Sequence, residues 1–495
     1  MTTAADPRTP CIIGVARRTW HPADAPEGAP EPLAMWEEMA RAAAADAGVP
    51  GAVAQLDGID IVYSQSWQYD DAPARLADRL GASPARRAYS GIGGTVPQTL
   101  AVDAAEHIWR GDLDLTLIVG AEALATVRRL KMAGAEPQWS YPPGEPRPFP
   151  MNLDFFPSEI SHSVHEAFLT FALFDNARRA HLGRELDAHR AQLGRVLARM
   201  TEVAAASPHA WFPIARSVDE IITPTADNRM VSYPYTKFMV AIMDVDMAAG
   251  LLLASAAKAD ALGVAEDKRV YLRGWGYAED PEHVAEHPDL WRSPAMAAAA
   301  RSALESAGIG LDEIAYFDFY SCFPSPVGFA LDTLGLAVDD PRGVTRTGGL
   351  AYHGGPGSDY VTHSLAAMVE TLRTDPGSVG LVSALGMHMQ KHAYALWSTE
   401  PGPRPSAVPA PHPLRTPVVD TPPQGPATVA TYGVLHGRDG APTSGLLVCD
   451  LPGVARCYAR LDGGDDALAE AEATELIGRT VTLTPKDGLN LARID

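Results

Sequence analysis

The sequence predicts a layered α/β core made of two similar halves, followed by a small all-β domain. Three observations support this prediction: strand-like and helix-like segments alternate, the same β-α-β order occurs twice, and the composition changes after a proline-rich segment. Alternating strands and helices of this length need crossover connections. We therefore expect mostly parallel sheets covered by helices on both faces.

The first β-α-β unit lies near the N-terminus. It consists of the apolar run CIIGVA, the helical pattern PLAMWEEMARAAAADAGV and the run LDGIDIVYSQ. Clustered β-branched and aromatic residues identify the last run as a strand. The same order returns near residue 270 as VYLRGWGYA, SPAMAAAARSALESAGI and LDEIAYFDFYS, with the Ala-Gly stop and the Leu-Asp restart in matching places.

A further pair of segments extends the repeat. TLAVDAAEHIWRGDLDLTLIVGAEAL matches HSLAAMVETLRTDPGSVGLVSALGMH, because each contains an Ala-rich helix, a polar turn and an apolar strand. We predict an N-terminal half at residues 1–265 and a C-terminal half at residues 266–398. The first half contains a long inserted region at residues 131–230, which begins rich in Pro and aromatic residues and then becomes helical. Insertions of this kind usually carry binding surfaces.

The C-terminal part of the chain has a different composition. Residues 399–420 form a proline-rich linker of extended character. Residues 421–495 contain the short β-like runs ATVATYGVLH, SGLLVCDL, ARCYARL and TVTLTP. We interpret this segment as a small five-stranded barrel of the OB type.

Composition and charge exclude several functional classes. The formal charge of -21 disfavours a partner with a phosphate backbone, so we expect no nucleic acid. No window approaches the roughly 18 apolar residues that a membrane helix needs. The four cysteines are scattered and the N-terminus lacks the layout of a signal peptide, so we expect a cytoplasmic protein without a disulfide framework.

Two strings in the core carry a family resemblance. AAEHIWRGDLDLTLIVGAEAL resembles the thiolase segment around its Gly-Gly-x-Glu strand, and DVDMAAGLLLASAAKADALG resembles the Asp-Gly-Ala-Ala-Ala helix of thiolases. The resemblance to the thiolase superfamily spans about residues 8–398. It implies a layered α-β-α-β-α fold and an acyltransferase-family protein of lipid metabolism, of the class often labelled acetyl-CoA acetyltransferase. It also implies coenzyme A or acyl-CoA as ligand or substrate, with no bound cofactor and no metal.

Four positions that are catalytic in thiolases carry other residues here. The nucleophilic cysteine aligns with Gly94, the Asn-Glu-Ala-Phe loop with a segment beginning at Tyr320, the histidine of Gly-His-Pro with Gly355, and the second cysteine with Leu385. Without a cysteine to carry the acyl group, ordinary thiolysis or Claisen condensation is not expected. The turn at Gly94 is either an ordinary strand-to-helix entry before Pro97 or a retained backbone anion site.

Other reactive groups remain in the predicted pocket. They are the candidate catalytic residues Tyr320, Cys322, Tyr352, His353 and His388. Cys322 is either a relocated nucleophile with His353 as its base or a small apolar core residue. Thiolase-like retro-aldolases lack the nucleophilic cysteine, use tyrosines on these two loops and pair with small OB-containing partners. Tyr320 and Tyr352 fit that pattern, and they also fit structural tyrosines.

The candidate ligand-binding residues are Lys237, Gly94, Gly354 and Gly355. Lys237 would either meet a phosphate or carboxylate of the ligand or be an ordinary solvated lysine. His388 and His392 are four residues apart, a spacing that can place two metal ligands on one face of a helix. A third ligand is missing, so we favour a structural His pair over a metal site; a functional His388 would line the acyl pocket. A homodimer is the default of the superfamily, and a monomer is the alternative. A non-catalytic acyl-CoA binding protein is the alternative function.

Overall fold

The computed structural model describes residues 5–150, 154–406, 408, 410 and 412–494. Its strands are β1 (Pro10–Thr19), β2 (Gly58–Ile61), β3 (Arg86–Tyr89), β4 (Leu115–Ala123), β5 (Met230–Tyr233), β6 (Tyr235–Thr236), β7 (Asp246–Ser255), β8 (Val270–Glu279), β9 (Ile314–Asp318), β10 (Val379–Gly386), β11 (Lys391–Ser398), β12 (Gly425–His436), β13 (Pro442–Asp450), β14 (Arg456–Leu461), β15 (Thr480–Lys486) and β16 (Leu489–Ile494).

Its α-helices are α1 (Pro32–Asp46), α2 (Ala72–Leu80), α3 (Val96–Arg110), α4 (Leu124–Met132), α5 (Pro157–Ser161), α6 (Ala167–His181), α7 (Leu186–Ala206), α8 (Val218–Ile222), α9 (Ala256–Leu262), α10 (Pro294–Ala307), α11 (Pro324–Leu334), α12 (Tyr360–Thr374) and α13 (Gly464–Ala473). Among the described residues, no helix is both long and apolar enough to cross a membrane.

The duplication is visible in the order of the strands. A nine-stranded sheet has the order β3-β2-β4-β7-β1-β8-β11-β10-β9. The run β2-β4-β7-β1 of the first half corresponds to β9-β10-β11-β8 of the second half, and the strand directions agree at every step. The two halves join through a short β1–β8 contact, in which Cys11 pairs with Tyr271 and Ile12 with Val270.

Two helices lie between the halves and give the core its layers. The helix α3 contacts β4 and β7 of its own half and β8 and β11 of the other half, and α12 likewise contacts strands of both halves. The helix α1 covers the outer face of the first half, and α10 covers that of the second. The predicted layered α/β fold with two equivalent halves is therefore confirmed.

The predicted strand directions are wrong, because the sheet is mixed. Within the described nine-stranded sheet, only the β2–β3, β2–β4 and β9–β10 pairs are parallel. In the second half, β10 and β11 form a hairpin joined by the short turn Met387–Gln390, and a hairpin is necessarily antiparallel. In the first half, the inserted region occupies the equivalent junction between β4 and β7.

One segment expected as a helix is largely a strand. The first part of DVDMAAGLLLASAAKADALG forms β7, and helix α9 begins only at Ala256. Every residue of β7 is buried, because the strand lies between β1 and β4 at the centre of its half. Pairing with both neighbours overrides the helix propensity of its Ala and Leu residues.

The C-terminal strands form a small closed barrel, as the fold prediction requires. The barrel order is β12-β13-β14-β16-β15, and it closes because β12 pairs with both β13 and β15. Its apolar interior includes both Cys449 and Cys457. The helix α13 follows β14 and was not predicted from the sequence.

The barrel is attached to the inserted region by hydrogen bonds. The strand β5 extends the barrel sheet by pairing with β12. On helix α6, the Leu173 carbonyl accepts a hydrogen bond from Thr431 Oγ1 at 2.5 Å, and Asn176 Nδ2 donates to the Tyr432 carbonyl at 2.9 Å. Glu159 accepts a hydrogen bond from the Tyr458 hydroxyl at 2.6 Å. The insertion and the barrel therefore form one packed unit.

Candidate active site

Three of the four aligned catalytic positions meet at one point. Gly94 lies in the turn before α3, Leu385 lies near the end of β10, and Tyr320 lies two residues after β9. A Cβ atom on Gly94 would lie 2.6 Å from Tyr320 Cζ, and still closer to the Tyr320 hydroxyl and the Leu385 carbonyl oxygen. The phenol of Tyr320 thus fills the space that a side chain at position 94 would need.

This contact explains why position 94 is a glycine. The obstacles include a backbone carbonyl and an aromatic ring, neither of which can move aside cheaply. The preceding residue uses its backbone donor within the protein, because the Gly93 amide donates to Ser358 Oγ at 3.1 Å. Packing against Tyr320 therefore accounts for Gly94 better than an open backbone anion site does.

Tyr320 is held in a defined and largely dry position. Its side chain is buried, its ring meets the ring of Tyr360 edge-on at 5.7 Å, and its amide donates to Ser383 Oγ at 2.9 Å. Burial raises the pKa of Tyr320 well above its ordinary value of 10. The residue is therefore a neutral phenol at neutral pH and can donate a proton or a hydrogen bond.

The surroundings of Cys322 favour a core role over a nucleophile. Burial raises the pKa of the Cys322 thiol far above its ordinary value of 9, so little thiolate exists at neutral pH. His353 is fully buried, and its Nε2 lies 3.3 Å from His363 Nδ1. Burial lowers the pKa of His353 well below its ordinary 6.5. Both groups are thus neutral, and the ring contacts of His353 are with His363 and Tyr360.

The loop with Tyr352, Gly354 and Gly355 packs tightly behind this point. The Gly349 carbonyl accepts hydrogen bonds from the amides of Tyr352 at 3.1 Å and His353 at 2.7 Å. Gly354 has φ +107°, and its Cβ would approach Met247 Sδ to 2.8 Å. The Gly355 amide donates to the Ile242 carbonyl at 2.8 Å. This loop places no imidazole at position 355.

Tyr352 is the second tyrosine of the predicted pair. Its side chain is buried, and its hydroxyl has no hydrogen-bond partner within the described part of the chain. Burial raises the pKa of Tyr352 above its ordinary 10, so this phenol is also neutral. An unpaired buried hydroxyl is costly, which makes Tyr352 Oη a position where a ligand or water can bind.

Comparison with known proteins identifies the family. No family model and no curated protein matches the chain. The crystal structure of a monomeric SCP2-thiolase-like protein type 1 from Mycobacterium smegmatis is similar to this chain, with 33% sequence identity and a TM-score of 0.84. The match covers 99% of this chain and 100% of that chain. The chain belongs to the SCP2-thiolase-like proteins.

Two more distant structures share the fold. The match to the dimeric peroxisomal thiolase of Saccharomyces cerevisiae covers 80% of this chain and 98% of the thiolase chain, with 14% sequence identity and a TM-score of 0.57. The match to the Ltp2-ChsH2(DUF35) aldolase covers 79% of this chain and 98% of the aldolase chain, with 15% sequence identity and a TM-score of 0.58. The resemblance of this SCP2-thiolase-like chain to the thiolase superfamily is thereby confirmed at the level of the fold.

His388 occupies a strained turn of this SCP2-thiolase-like protein. It lies between Met387 at φ +57° and Met389 at φ +65°, and non-glycine residues in this region cost about 1–3 kcal/mol each. Its half-buried ring lies 6.2 Å from that of Phe155, and burial lowers the pKa of His388 to about 4. The turn touches the site, because the Met387 methyl lies 4.0 Å from the Cβ position of Gly93.

The interpretation of His388 and His392 as neighbours on one helical face is wrong. His388 lies in the β10–β11 turn and His392 in β11. His392 Nε2 lies 3.0 Å from Ser293 Oγ and 3.3 Å from Asp280 Oδ2, which explains it as a buried structural residue. No group of three His, Cys, Asp or Glu side chains within the described ranges could hold a metal ion.

Lys237 is exposed at the start of a short 3-10 helix, Lys237–Met239. It makes no ion pair with any residue that the structure describes. The segment after it runs past the site, because the Ala241 amide donates to the Cys322 carbonyl at 2.9 Å. Lys237 can therefore reach solvent near the site, whereas Tyr320, Tyr352 and His353 are buried.

Sequence reasoning missed a buried acidic group beside the site. Glu122 near the end of β4 accepts hydrogen bonds from the Gln65 amide at 2.7 Å and from Ser66 Oγ at 2.6 Å, and burial raises its pKa to about 7. Asp359 is also buried, its pKa is raised well above 3.8, and its Oδ2 lies 3.6 Å from His363 Nε2. The Gly-x-Glu string could have indicated Glu122, but no pattern indicated Asp359.

Proposed function

We propose that this chain binds acyl-CoA thioesters and acts on them by proton transfer, without an acyl-cysteine intermediate. The observation that carries the proposal is the hydroxyl of Tyr320 in the space of a side chain at position 94. Neutral Tyr320 is suited to donate to the thioester oxygen, or to a carbanion that forms beside it. Cys322 stays protonated, so covalent acyl transfer has no nucleophile there.

The reaction that fits these groups is retro-aldol cleavage of a β-hydroxyacyl-CoA. The β-hydroxyl gives its proton to a water molecule, the C2–C3 bond breaks, and the electron pair passes to C2 as the thioester enolate. An acid then protonates C2, giving a carbonyl product and a shorter acyl-CoA, and solvent returns a proton to that acid. We assign the acid to Tyr320 and the contact with the β-hydroxyl to Tyr352, whose Oη has no partner among the described residues. The aldolase among the structural neighbours supports this reaction class.

The accompanying assignments follow the same proposal. Lys237 contacts a phosphate of CoA, and the backbone of Gly94, Gly354 and Gly355 adjoins the thioester, while His388 lines the acyl end. CoA or its ester is then a substrate, with no resident cofactor. We assign the barrel to the OB type, and its five strands in this closed order with a helix after the third strand support that assignment. We place the protein in the cytoplasm, as a monomer like its relative from M. smegmatis rather than a homodimer.

A second function, acyl-CoA binding without turnover, is favoured by one observation. Tyr352 is 2% exposed and His353 is 0% exposed, so both are enclosed by the protein. A pocket closed in this way would bind only the end of a ligand and would leave its polar groups unreactive. The two functions differ in whether product forms.

Calorimetry followed by product analysis separates the two functions. CoA, acetyl-CoA and a series of β-hydroxyacyl-CoA esters are titrated into the chain, and each mixture is then assayed for carbonyl product and shortened acyl-CoA. Binding with cleavage supports the retro-aldol proposal, and binding without conversion of any ester supports the binding function. Failure of every CoA compound to bind would overturn both.

Tyr320→Phe tests the assigned acid, because it removes only the hydroxyl. We expect unchanged CoA affinity and cleavage slower by a factor of about 100 or more, the usual effect of losing an acid-base group. The matched control is Tyr316→Phe, whose hydroxyl donates to Asp375 away from the site. Equal rates for Tyr320→Phe and the wild-type chain would contradict the assignment.

A further inference from the structure

A separate cavity of about 170 Å³ lies between helix α7 and the loop at residues 338–346. It does not include the tyrosines of the candidate active site. One wall is apolar and is formed by Val196, Met200 and Val203, which are spaced along one face of α7. The other wall comes from the loop. The cavity therefore has two chemically different sides.

The second side of the cavity is basic. Arg199, Arg342 and Arg346 line it, in a chain whose formal charge is -21. Arg342 is neutralised by Asp340, to which Nε and one terminal nitrogen each donate at 2.9 Å. Glu202 is the acidic residue of the lining, and its side chain is exposed to solvent.

The charge of Arg346 is offset only in part, by the Tyr316 ring, whose centroid lies 5.3 Å from its Cζ, and by the nearby charge of Asp318. Arg346 Nε donates to the Thr345 carbonyl and one terminal nitrogen to the Arg342 carbonyl, both at 3.0 Å, and no carboxylate forms an ion pair with it among the described residues. The carboxylate of Asp318 is engaged by the Arg346 amide at 2.7 Å instead. Burial lowers the pKa of Arg346, as expected for a charge whose solvation is incomplete.

Arg199 and Arg346, which form no salt bridge with any residue that the structure describes, leave donors that backbone carbonyls do not saturate. Arg199 uses its terminal nitrogens on the carbonyls of Val338 and Asp340. A guanidinium has five N–H donors, so both Arg199 and Arg346 retain donors for a further acceptor. An anion is the acceptor that also offsets their charge. The apolar wall on the opposite side of the cavity favours a ligand that also carries a hydrocarbon group.

We propose that this cavity is a binding site for a short-chain monocarboxylate, with its carboxylate on Arg346 and Arg199 and its alkyl chain against α7. The cavity adjoins the loop that carries Tyr352, whose catalytic role is part of the proposed function. The Met200 methyl contacts Gly349, and the Gly349 carbonyl holds the amides of Tyr352 and His353. A carboxylate seated there is therefore positioned to stiffen the turn that carries Tyr352.

The test is calorimetry of the full chain with butyrate, inorganic phosphate and 1-butanol. We expect butyrate to bind at least about tenfold more tightly than phosphate, which lacks the alkyl group, and more tightly than butanol, which lacks the charge. Phosphate binding as tight as butyrate would refute the role of the apolar wall. Butanol binding as tight as butyrate would refute the role of the arginines, and absence of butyrate binding would overturn the site.

Two variants locate the binding. Arg346→Gln should weaken butyrate binding by about tenfold or more, the effect of losing one charge-assisted contact, whereas Arg301→Gln, at an exposed side chain of α10, should leave it unchanged. Because Arg346 also supports its own loop, Val203→Phe provides a second variant that fills the cavity. It should abolish binding, while Val454→Phe at an 82% exposed position should not. Unweakened binding in both cavity variants would place butyrate elsewhere and overturn the proposal.

Discussion

Gly94→Ala is expected to destabilise the protein, although it adds a single methyl group. The new Cβ would lie 2.6 Å from Tyr320 Cζ and closer to the Leu385 carbonyl oxygen, whereas carbon atoms in ordinary contact are about 3.5–4.0 Å apart. Both obstacles are parts of the packed core. Overpacking of this kind costs about 1–3 kcal/mol, and we expect the upper end of that range because a backbone carbonyl must move.

The assay is urea unfolding followed by tryptophan fluorescence, with the midpoint and slope compared between variants. The matched control is Gly51→Ala. A Cβ at Gly51 would meet no atom within 4 Å, so this variant should be neutral or up to about 1 kcal/mol more stable, through the lower entropy of its unfolded chain. The two substitutions are chemically identical and differ only in the space around them.

A double-mutant cycle identifies the obstacle. In a Tyr320→Ala background the ring is gone and only the Leu385 carbonyl remains, so the cost of Gly94→Ala should fall by about 1 kcal/mol or more. Two results would refute the reasoning. One is a Gly94→Ala variant as stable as Gly51→Ala, and the other is a cycle in which the effects at positions 94 and 320 simply add.

Two further predictions concern buried charges. Burial raises the pKa of Glu122 from 4.5 to about 7. Between these pH values the folded chain keeps a proton that the unfolded chain releases. The free energy of unfolding should therefore fall by about 3 kcal/mol as the pH rises from about 4.5 to 7. Thermal melts across this pH range should show that the melting temperature of Glu122→Gln depends less on pH than that of the wild type or of the exposed control Glu202→Gln. Equal dependence on pH in all three would contradict the prediction. Asp332→Asn should cost about 2 kcal/mol in urea unfolding, because it leaves the buried Arg178 without the carboxylate that accepts two hydrogen bonds at 2.6 and 2.8 Å. A loss no larger than that of an exposed Asp→Asn change would count against this pair.

The repeat could be predicted because it depends on local patterns. Each half has an Ala-rich helix and apolar strands in the same order, and those elements appear in the structure near the expected places. The strand directions could not be predicted, because they depend on the turn Met387–Gln390. That turn has methionines in left-handed conformations and lacks the glycine or asparagine that usually marks a tight hairpin. The strand β7 was missed for a related reason, since its Ala and Leu residues favour a helix until both sheet neighbours are present.

The site could be predicted by position but not by arrangement. Alignment with the catalytic motifs of the thiolase superfamily identified positions 94, 320 and 385, and the structure brings these three together. Whether the Tyr320 ring points into the space at position 94 depends on its rotamer and on Tyr360, which is forty residues away in sequence. Asp359 was missed because its surroundings come from both halves of the chain.

The duplication accounts for both the site and the buried acids beside it. Gly94 and Ser358 each stand two residues before a central helix, and Leu385 and Glu122 are each the second-last residue of a central strand. At a first crossing, the start of α3 meets the end of β10, so that Gly94 packs against Leu385. At an equivalent second crossing, the start of α12 meets the end of β4, so that Gly357 packs against the Glu122 carboxyl. The first crossing has a tyrosine hydroxyl at its centre and the second has two carboxyl groups with raised pKa values.

The two crossings are also connected, because the Gly93 amide donates to Ser358 Oγ at 3.1 Å. A change in the protonation of Glu122 or Asp359 therefore acts on a segment that is bonded to the turn carrying Gly94. In both crossings the glycine makes room for a group from the opposite half. The absence of a side chain at position 94 is thus one part of a packing scheme repeated across the molecule, and it cannot be reversed by restoring a cysteine at that position alone.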